Sequence, residues 1–276
     1  MHENDIPAGL ELVAAAGWNQ TQADWKHFLI VHPEGCFVAE SGGQVAGTAT
    51  SIIYENRLAW VGMVLVRPDY RRRGIATQLL ETVLRHLDSL RIPVIKLDAT
   101  PQGAPLYEKL GFATELQIER WSLHRAPVKP AALGEPFITE NQFEEVLTLD
   151  RDVFGADRQE LLLSVHASAP YFTAAVGTGR NLAGYTLGRL GRIADHLGPW
   201  VAKDEQTASR LLKRFLAYSA RECIVVDCVK SNPAISAILH SMGFEVSRPL
   251  LRMARGSGGS LGRPELLVAI LGPEFG

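Results

Sequence analysis

The chain repeats itself. Gly111-Phe112 recurs as Gly243-Phe244, 132 residues further on. The same offset carries Ala76, Leu79 and Leu80 onto Ala208, Leu211 and Leu212, and Arg120 onto Arg252. Separate matches at one offset argue for a duplicated fold, so the architecture must be one that a chain can build twice. A length of 276 residues is enough for two ordinary domains. Between the copies, His124 to Pro136 loses all periodicity and carries Pro127, Pro130 and Pro136, as a stiff linker does. The expected division is 1–126, a linker 127–136, and 137–276.

The most informative stretch of the first copy is Met63 to Thr77, which reads as strand, tight loop, helix. Met63 to Val66 is a short apolar run suited to a buried strand, and Pro68 cannot donate to a sheet ladder and closes it. Beyond Ala76, Leu79, Leu80, Val83, Leu84, Leu87 and Leu90 follow helical spacing with one apolar face. A loop containing Arg71, Arg72, Arg73 and Gly74 therefore opens a helix. Free N–H groups of the first turn and the positive end of the helix dipole make such a place an anion site. Gly74 allows close approach of the backbone to a phosphate. The loop is neither a Walker loop nor a dinucleotide Gly-x-Gly-x-x-Gly.

Around this stretch the spacing predicts helices over Asp5 to Ala16 and from Thr21 to about His32, where Pro33 stops the second. It predicts a strand over Cys36 to Ala39 and a hairpin of Val45 to Tyr54 with Leu58 to Val66 about Glu55-Asn56. A strand from Val94 to Asp98, a short helix from Pro105 to Leu110 and a last strand from Leu116 to Leu123 complete the copy. The first copy starts directly at Glu3-Asn4-Asp5, so a strand before its first helix is expected to be short or missing. The second copy has an extended run over Pro136 to Thr139 at the matching place.

Arg71-x-x-Gly74-x-Ala76 resembles the Gln/Arg-x-x-Gly-x-Gly/Ala signature of the GCN5-related N-acetyltransferases. Leu106-Tyr107-x-x-x-Gly111-Phe112 is similar to that family's Leu-Tyr-x-x-x-Gly-Phe ending. The resemblance implies an α/β (α+β) protein of two tandem acetyltransferase-fold domains, each a mixed, mostly antiparallel sheet flanked by helices. It implies an acetyl-CoA-dependent N-acetyltransferase that transfers acetyl to a primary amine by direct attack in a ternary complex. It further implies that Arg71, Arg72, Arg73, Gly74, Ile75, Ala76 and Thr77 hold the pyrophosphate. A bulge would leave the backbone of Val64, Leu65 and Val66 free for the pantetheine arm. Tyr107 would protonate the departing thiolate; the plainer reading of Tyr107 is a packed aromatic.

The amine must also lose a proton. Where the histone-modifying branch of the family has a glutamate, this chain has Trp60. Asp98, ending its strand, or Glu55, at the hairpin turn, would take the proton directly or through water; the plainer role for Asp98 is a cap on backbone N–H groups. Trp18, Trp25, Tyr54 and Trp60 are available to line an acceptor pocket. In the second copy, Lys203 stands for Arg71, Gln206 for Gly74 and Leu239 for Tyr107. The copy resembles a degenerate domain, as in bacterial tandem acetyltransferases, and only the first copy is expected to bind acetyl-CoA. The other class of function compatible with these motifs is a non-catalytic acyl-CoA sensor or interaction protein.

Composition excludes several partners. A net charge of −2 gives no field for nucleic acid or an anionic membrane. No apolar run is long enough to span a bilayer, and Met1 to Asp5 lacks the marks of a signal peptide. Cys36, Cys223 and Cys228 suit neither a disulfide framework nor a metal site, so no metal is expected and the setting should be cytoplasmic. The acceptor, a small molecule or a peptide amine, and the oligomeric state are not encoded in any motif.

Overall fold

The protein is described from a computed structural model covering residues 1–131, 138–230, 232–256 and 261–276. The first copy runs α1 (Ile6–Ala15), α2 (Gln22–Val31), β1 (Cys36–Ser41), β2 (Gln44–Tyr54), β3 (Leu58–Val66), α3 (Ile75–Ser89), β4 (Val94–Ala99), α4 (Ala104–Lys109) and β5 (Ala113–His124). The second runs α5 (Glu140–Phe154), α6 (Gln159–Ser168), β6 (Ala174–Val176), β7 (Gly184–Leu190), β8 (Asp195–Ala202), α7 (Glu205–Tyr218), β9 (Cys223–Val229), α8 (Pro233–Ser241) and β10 (Glu245–Gly256), followed by β11 (Leu267–Ala269). The expected elements are present, with ends moved by a residue or a few. Glu55 and Asn56 adopt φ of 51° and 53°, the left-handed pair that a two-residue hairpin turn requires. No strand precedes α1, where only a short 3₁₀ turn, Glu3–Asp5, is found. The run Pro136 to Thr139 lies partly outside the described residues, and Ile138 and Thr139 are not strand.

All eleven strands of the described residues form one sheet, ordered β1-β2-β3-β4-β10-β5-β9-β11-β8-β7-β6. This order shows something the sequence reading did not anticipate. The last strand of each copy has crossed to the other: β10 lies between β4 and β5, and β5 lies between β10 and β9. The central pair is antiparallel and places Leu250 opposite Ile118. Those residues are 132 apart, so the copies are related by a pseudo-two-fold axis passing beside them.

The exchange is fastened at equivalent points. Arg120, on β5, makes a bidentate pair with Asp227 of β9 at 2.7 and 2.6 Å. Arg252, on β10, does the same with Asp98 of β4, both contacts at 3.0 Å. Burial would raise the Asp227 carboxyl, but the Arg120 guanidinium outweighs it and holds the group below its ordinary range. At Asp98 the balance is reversed, and burial leaves the carboxyl raised despite Arg252.

Three apolar clusters follow. One joins α3 to the first copy's sheet through Leu79, Leu80, Val83, Leu84 and Leu87; each such side chain contributes about 1.5–3 kcal/mol on burial. A second joins α7 and α8 to the second copy's strands. The third is shared, bringing Trp25 and Phe28 of α2 together with Phe143 and Leu147 of α5, Ile118, Leu250 and Phe275. Residues 125–131 do not stand away from the body: Arg125 donates to Ser219 O at 2.6 Å, and Ala131 N to Ala217 O at 2.8 Å.

Candidate active site

The two ladders that make β3 special point opposite ways. Toward β2, the register shifts between Thr48 and Thr50, so Met63 and Val64 together oppose Ala49. Met63 takes φ of 51°, a β-bulge, and Thr48 Oγ1 donates to Met63 O at 2.8 Å. Toward β4, the parallel pairing runs only through Leu58↔Val94, Ala59↔Ile95 and Trp60↔Lys96, then stops. The bulge bends β3 away from its neighbour. A cleft opens there, lined by Val61 to Val64 on one strand and Leu97, Asp98 and Thr100 on the other. Backbone groups of the splayed strand are left for a ligand to pair with, as an added strand would.

The basic loop follows β3 and leads into α3. Gly74, at φ of 80°, is the residue before α3, and a Cβ there would meet nothing within 4 Å. The conformation, not crowding, selects glycine. Arg71 to Gly74 are exposed. Arg71 Nε donates to Val66 O at 3.3 Å, and the Arg73 guanidinium lies 5.0 Å from the Tyr70 ring centroid. The first ties the loop to the end of β3, and the second is internal to the loop. An open loop, three guanidinium groups and the start of a fifteen-residue helix suit a diphosphate in charge and shape.

Tyr107, on α4, lines the same cleft. Its hydroxyl has no hydrogen-bond partner among the described residues, and burial pushes the phenol up to about 12. It therefore stays protonated at any ordinary pH and can donate. Asp98 also lines the cleft, but both its oxygens accept from Arg252. That occupation is a geometric obstacle to its receiving a proton. Asp98 is not a cap; it is half of a strand-to-strand clamp. Glu55 is not in the cleft, for it stays at the hairpin turn, paired with Arg151. Among the aromatics, Trp18 lines the cleft and Trp25 is core. Trp60 donates to Pro273 O at 3.0 Å and Tyr54 to Phe275 O at 3.0 Å. Cys36 carries no chemistry, since burial raises its thiol to about 12.

Those last two bonds mark what the sequence reading missed. After β11 the chain returns to the first copy. Residues 272–276 close a tight loop, with Gly276 N donating to Gly272 O at 2.9 Å. Phe275 stacks on Phe28 with centroids 5.0 Å apart. The loop presses so closely on β3 that a Cβ on Gly62 would come within 2.9 Å of Glu274 O. Glu274 is thereby placed in the wall of the cleft with 2 % of its surface exposed. No motif surrounds it, and its neighbours in space are far away in sequence.

The second copy has the matching bulge and no matching cleft. Thr186 and Gly188 flank the shift on β7, which leaves Gly198 and Pro199 opposite Leu187. Thr186 Oγ1 donates to Pro199 O at 3.2 Å, as Thr48 does to Met63. The parallel pairing of β8 with β9 stops at Leu197↔Val226. The space beyond is filled by β11, whose Ala269 pairs with Trp200 on one side and Cys228 on the other. The start of α7 borders an open pocket but is acidic: Asp204 caps it, accepting from Thr207 N at 2.7 Å, and Glu205 follows. Two carboxylates at that helix end repel the anion that α3 would attract. Leu239, in place of Tyr107, is core.

Residues 11–112 match the model of the acetyltransferase (GNAT) family, and residues 146–266 match that of an acetyltransferase (GNAT) domain. The chain is 24% identical over 246 residues to the uncharacterized N-acetyltransferase YitH of Bacillus subtilis (strain 168), covering 88% of this chain and 86% of that protein. Among solved structures, a candidate acetyltransferase of Pyrococcus horikoshii superposes with a TM-score of 0.80 at 23% identity, covering 100% of this chain and 94% of the other. A tandem GNAT protein from the clavulanic acid biosynthesis pathway superposes with a TM-score of 0.57 at 17% identity, covering 94% and 98%. No group of His, Cys, Asp and Glu among the described residues could hold a metal ion. No described helix is long and apolar enough to cross a membrane.

Proposed function

Because this chain belongs to the GNAT acetyltransferase family, as two such domains in tandem, we propose that it transfers acetyl from acetyl-CoA to a primary amine, by direct attack, at the β3–β4 cleft of the first copy. The observation that carries this reading is the bulge at Met63–Val64 beside the Gly74 loop. Diphosphate binds at Arg71 to Thr77. Pantetheine pairs with the free edge of Val64 to Val66. A backbone N–H of that edge polarises the thioester carbonyl, as an oxyanion site does. Tyr107 faces the leaving sulfur and supplies its proton. The thioester is already an activated acyl donor, so one attack suffices and the acceptor must bind beside acetyl-CoA.

Tyr107 favours an enzyme over an acyl-CoA sensor, since a sensor has no use for a half-buried phenol without a partner in its ligand cleft. The second copy serves as scaffold, contributing strand β10 and the loop 272–276 to the first copy's cleft. The test is release of free thiol from acetyl-CoA in the presence of a panel of primary amines, read by a thiol reagent. Acceptor-dependent release is expected. Tight acetyl-CoA binding with no acceptor-dependent release for any amine would favour the sensor.

A further inference from the structure

Three polar side chains in the cleft wall, Gln20 and Glu274 buried and Arg248 half-buried, have a buried atom without a partner: Gln20 Oε1, Glu274 Oε2 and Arg248 Nε. Buried polar atoms are nearly always paired, so each needs an explanation. Their placement is engineered by the fold. Gln20 sits beside Asn19, whose Oδ1 accepts from Ile193 N at 2.9 Å and Ala194 N at 3.0 Å of the second copy. Glu274 Oε1 is taken by Arg189, which also donates to Asp24 Oδ1 at 2.6 Å. The other oxygen is left over. Arg248 rides on the exchanged strand β10, opposite Arg120. Burial first, and then Arg120, brings its guanidinium down to about 10, and no carboxylate closes on it.

Two oxygens that only accept and one nitrogen that only donates complement a molecule bearing both an ammonium and an anion. Resting on the acetyl-transfer reading above, we propose that the acceptor is a small amino-carboxylic acid. Its amine is received by Gln20 Oε1 and Glu274 Oε2, its carboxylate by Arg248, and Glu274 is the base. The cavity between them has about 40 Å³ open, room for roughly three water-sized groups. That admits the polar head of such an acceptor, not a folded chain end.

The step balances without further reactants. The ammonium, R–NH₃⁺, gives one proton to Glu274 Oε2 and attacks the thioester carbonyl; a C–N bond forms and the C–S bond breaks. The thiolate takes a proton from Tyr107. The second proton lost by nitrogen returns to Tyr107, and Glu274 passes its own to solvent. The products are the acetamide, free CoA and one proton. Glu274 pairs with Arg189, which has Asp24 and His196 behind it, and it acts on Arg248 and Arg120 through space.

The experiment pairs α- and ω-amino acids with the same amines carrying methyl in place of carboxylate, as acceptors for the full chain. The amino acids should show KM values at least ten-fold lower. Arg248→Gln should erase that preference. Glu274→Gln, which keeps volume and a contact to Arg189, should lower kcat about 10²- to 10³-fold, within the span of general-base effects. Gln20→Met, which leaves the Arg189 pair untouched, should raise the amine KM. Melting temperature and acetyl-CoA affinity are measured alongside. Equal use of both acceptor sets, or wild-type kcat in a folded Glu274→Gln, overturns the proposal while leaving acetyl transfer standing. Failure of the wild-type chain to bind acetyl-CoA would instead overturn the reading beneath it.

Discussion

Tyr107 is where removing one atom asks the sharpest question. Its ring packs edge-on against Phe112, with centroids 6.1 Å apart, and Tyr107→Phe keeps that packing. If the hydroxyl protonates the thiolate, kcat should fall while acetyl-CoA affinity holds. General acids typically contribute about 10²- to 10⁴-fold, and a thiolate of pKa ~8.5 leaves tolerably well unaided, so the loss should be roughly 10- to 100-fold. Since burial raises the phenol to about 12, Tyr107 stays protonated throughout a profile taken to pH 10. An alkaline limb below that pH should therefore survive the substitution. Steady-state rates under conditions where chemistry limits turnover decide the matter, and unchanged kcat would reduce Tyr107 to packing. Tyr107 was legible because it lies in a local motif. Glu274 was not, because nothing local announces it: its role arises from a chain return of more than two hundred residues to β3.

At the scale of elements, β11 separates the two copies functionally. It occupies the gap between β8 and β9 that corresponds to the one left open between β3 and β4. Ala269→Pro removes a backbone donor in the middle of this wedge, and proline inside a sheet costs a ladder hydrogen bond. The variant should melt earlier by differential scanning fluorimetry. It should not acquire a second acetyl-CoA site, because Asp204 and Glu205 still guard the start of α7. A second site in that variant would show that β11 alone closes the cleft. The loss of the glycine and of the arginine was readable at Gln206 and Lys203. The wedge was not, since a three-residue strand has no periodicity to detect. The bulge in β3 was expected from the family resemblance alone: Met63 at φ of 51° is a conformation that its residue type gives no reason to expect.

The whole molecule is one sheet in which neither copy owns its last strand. The offset of 132 revealed that β5 and β10 are equivalent, but equivalence does not say which partner each strand takes, so the exchange could not be read from it. The two copies should unfold in a single transition, since neither sheet is complete alone. Asp227→Asn strips a fully buried partner from Arg120 and should cost about 3–5 kcal/mol. Asp227 is held below its ordinary range. Its stabilising contribution is complete above the unfolded carboxylate pKa of about 3.9 and is lost as pH falls below that. The wild-type melting temperature should therefore drop more steeply below pH 4 than that of Asp227→Asn. Asp98, shifted upward, works in the opposite sense. Parallel slopes for the two proteins would mean that the Arg120 pair does not hold the exchange.

A single acetylation site per chain, at the β3–β4 cleft, is the central claim, and calorimetric titration of acetyl-CoA into the full chain tests it most directly. Gly74→Glu is titrated beside the wild type. It sets a carboxylate in the diphosphate loop, and its strain at φ of 80° costs about 1–2 kcal/mol, small enough for a melting curve to verify the fold. The expected result is one site per chain in the wild type, weakened at least ten-fold in folded Gly74→Glu. Two sites per chain, or one site of unchanged affinity in that variant, would contradict it.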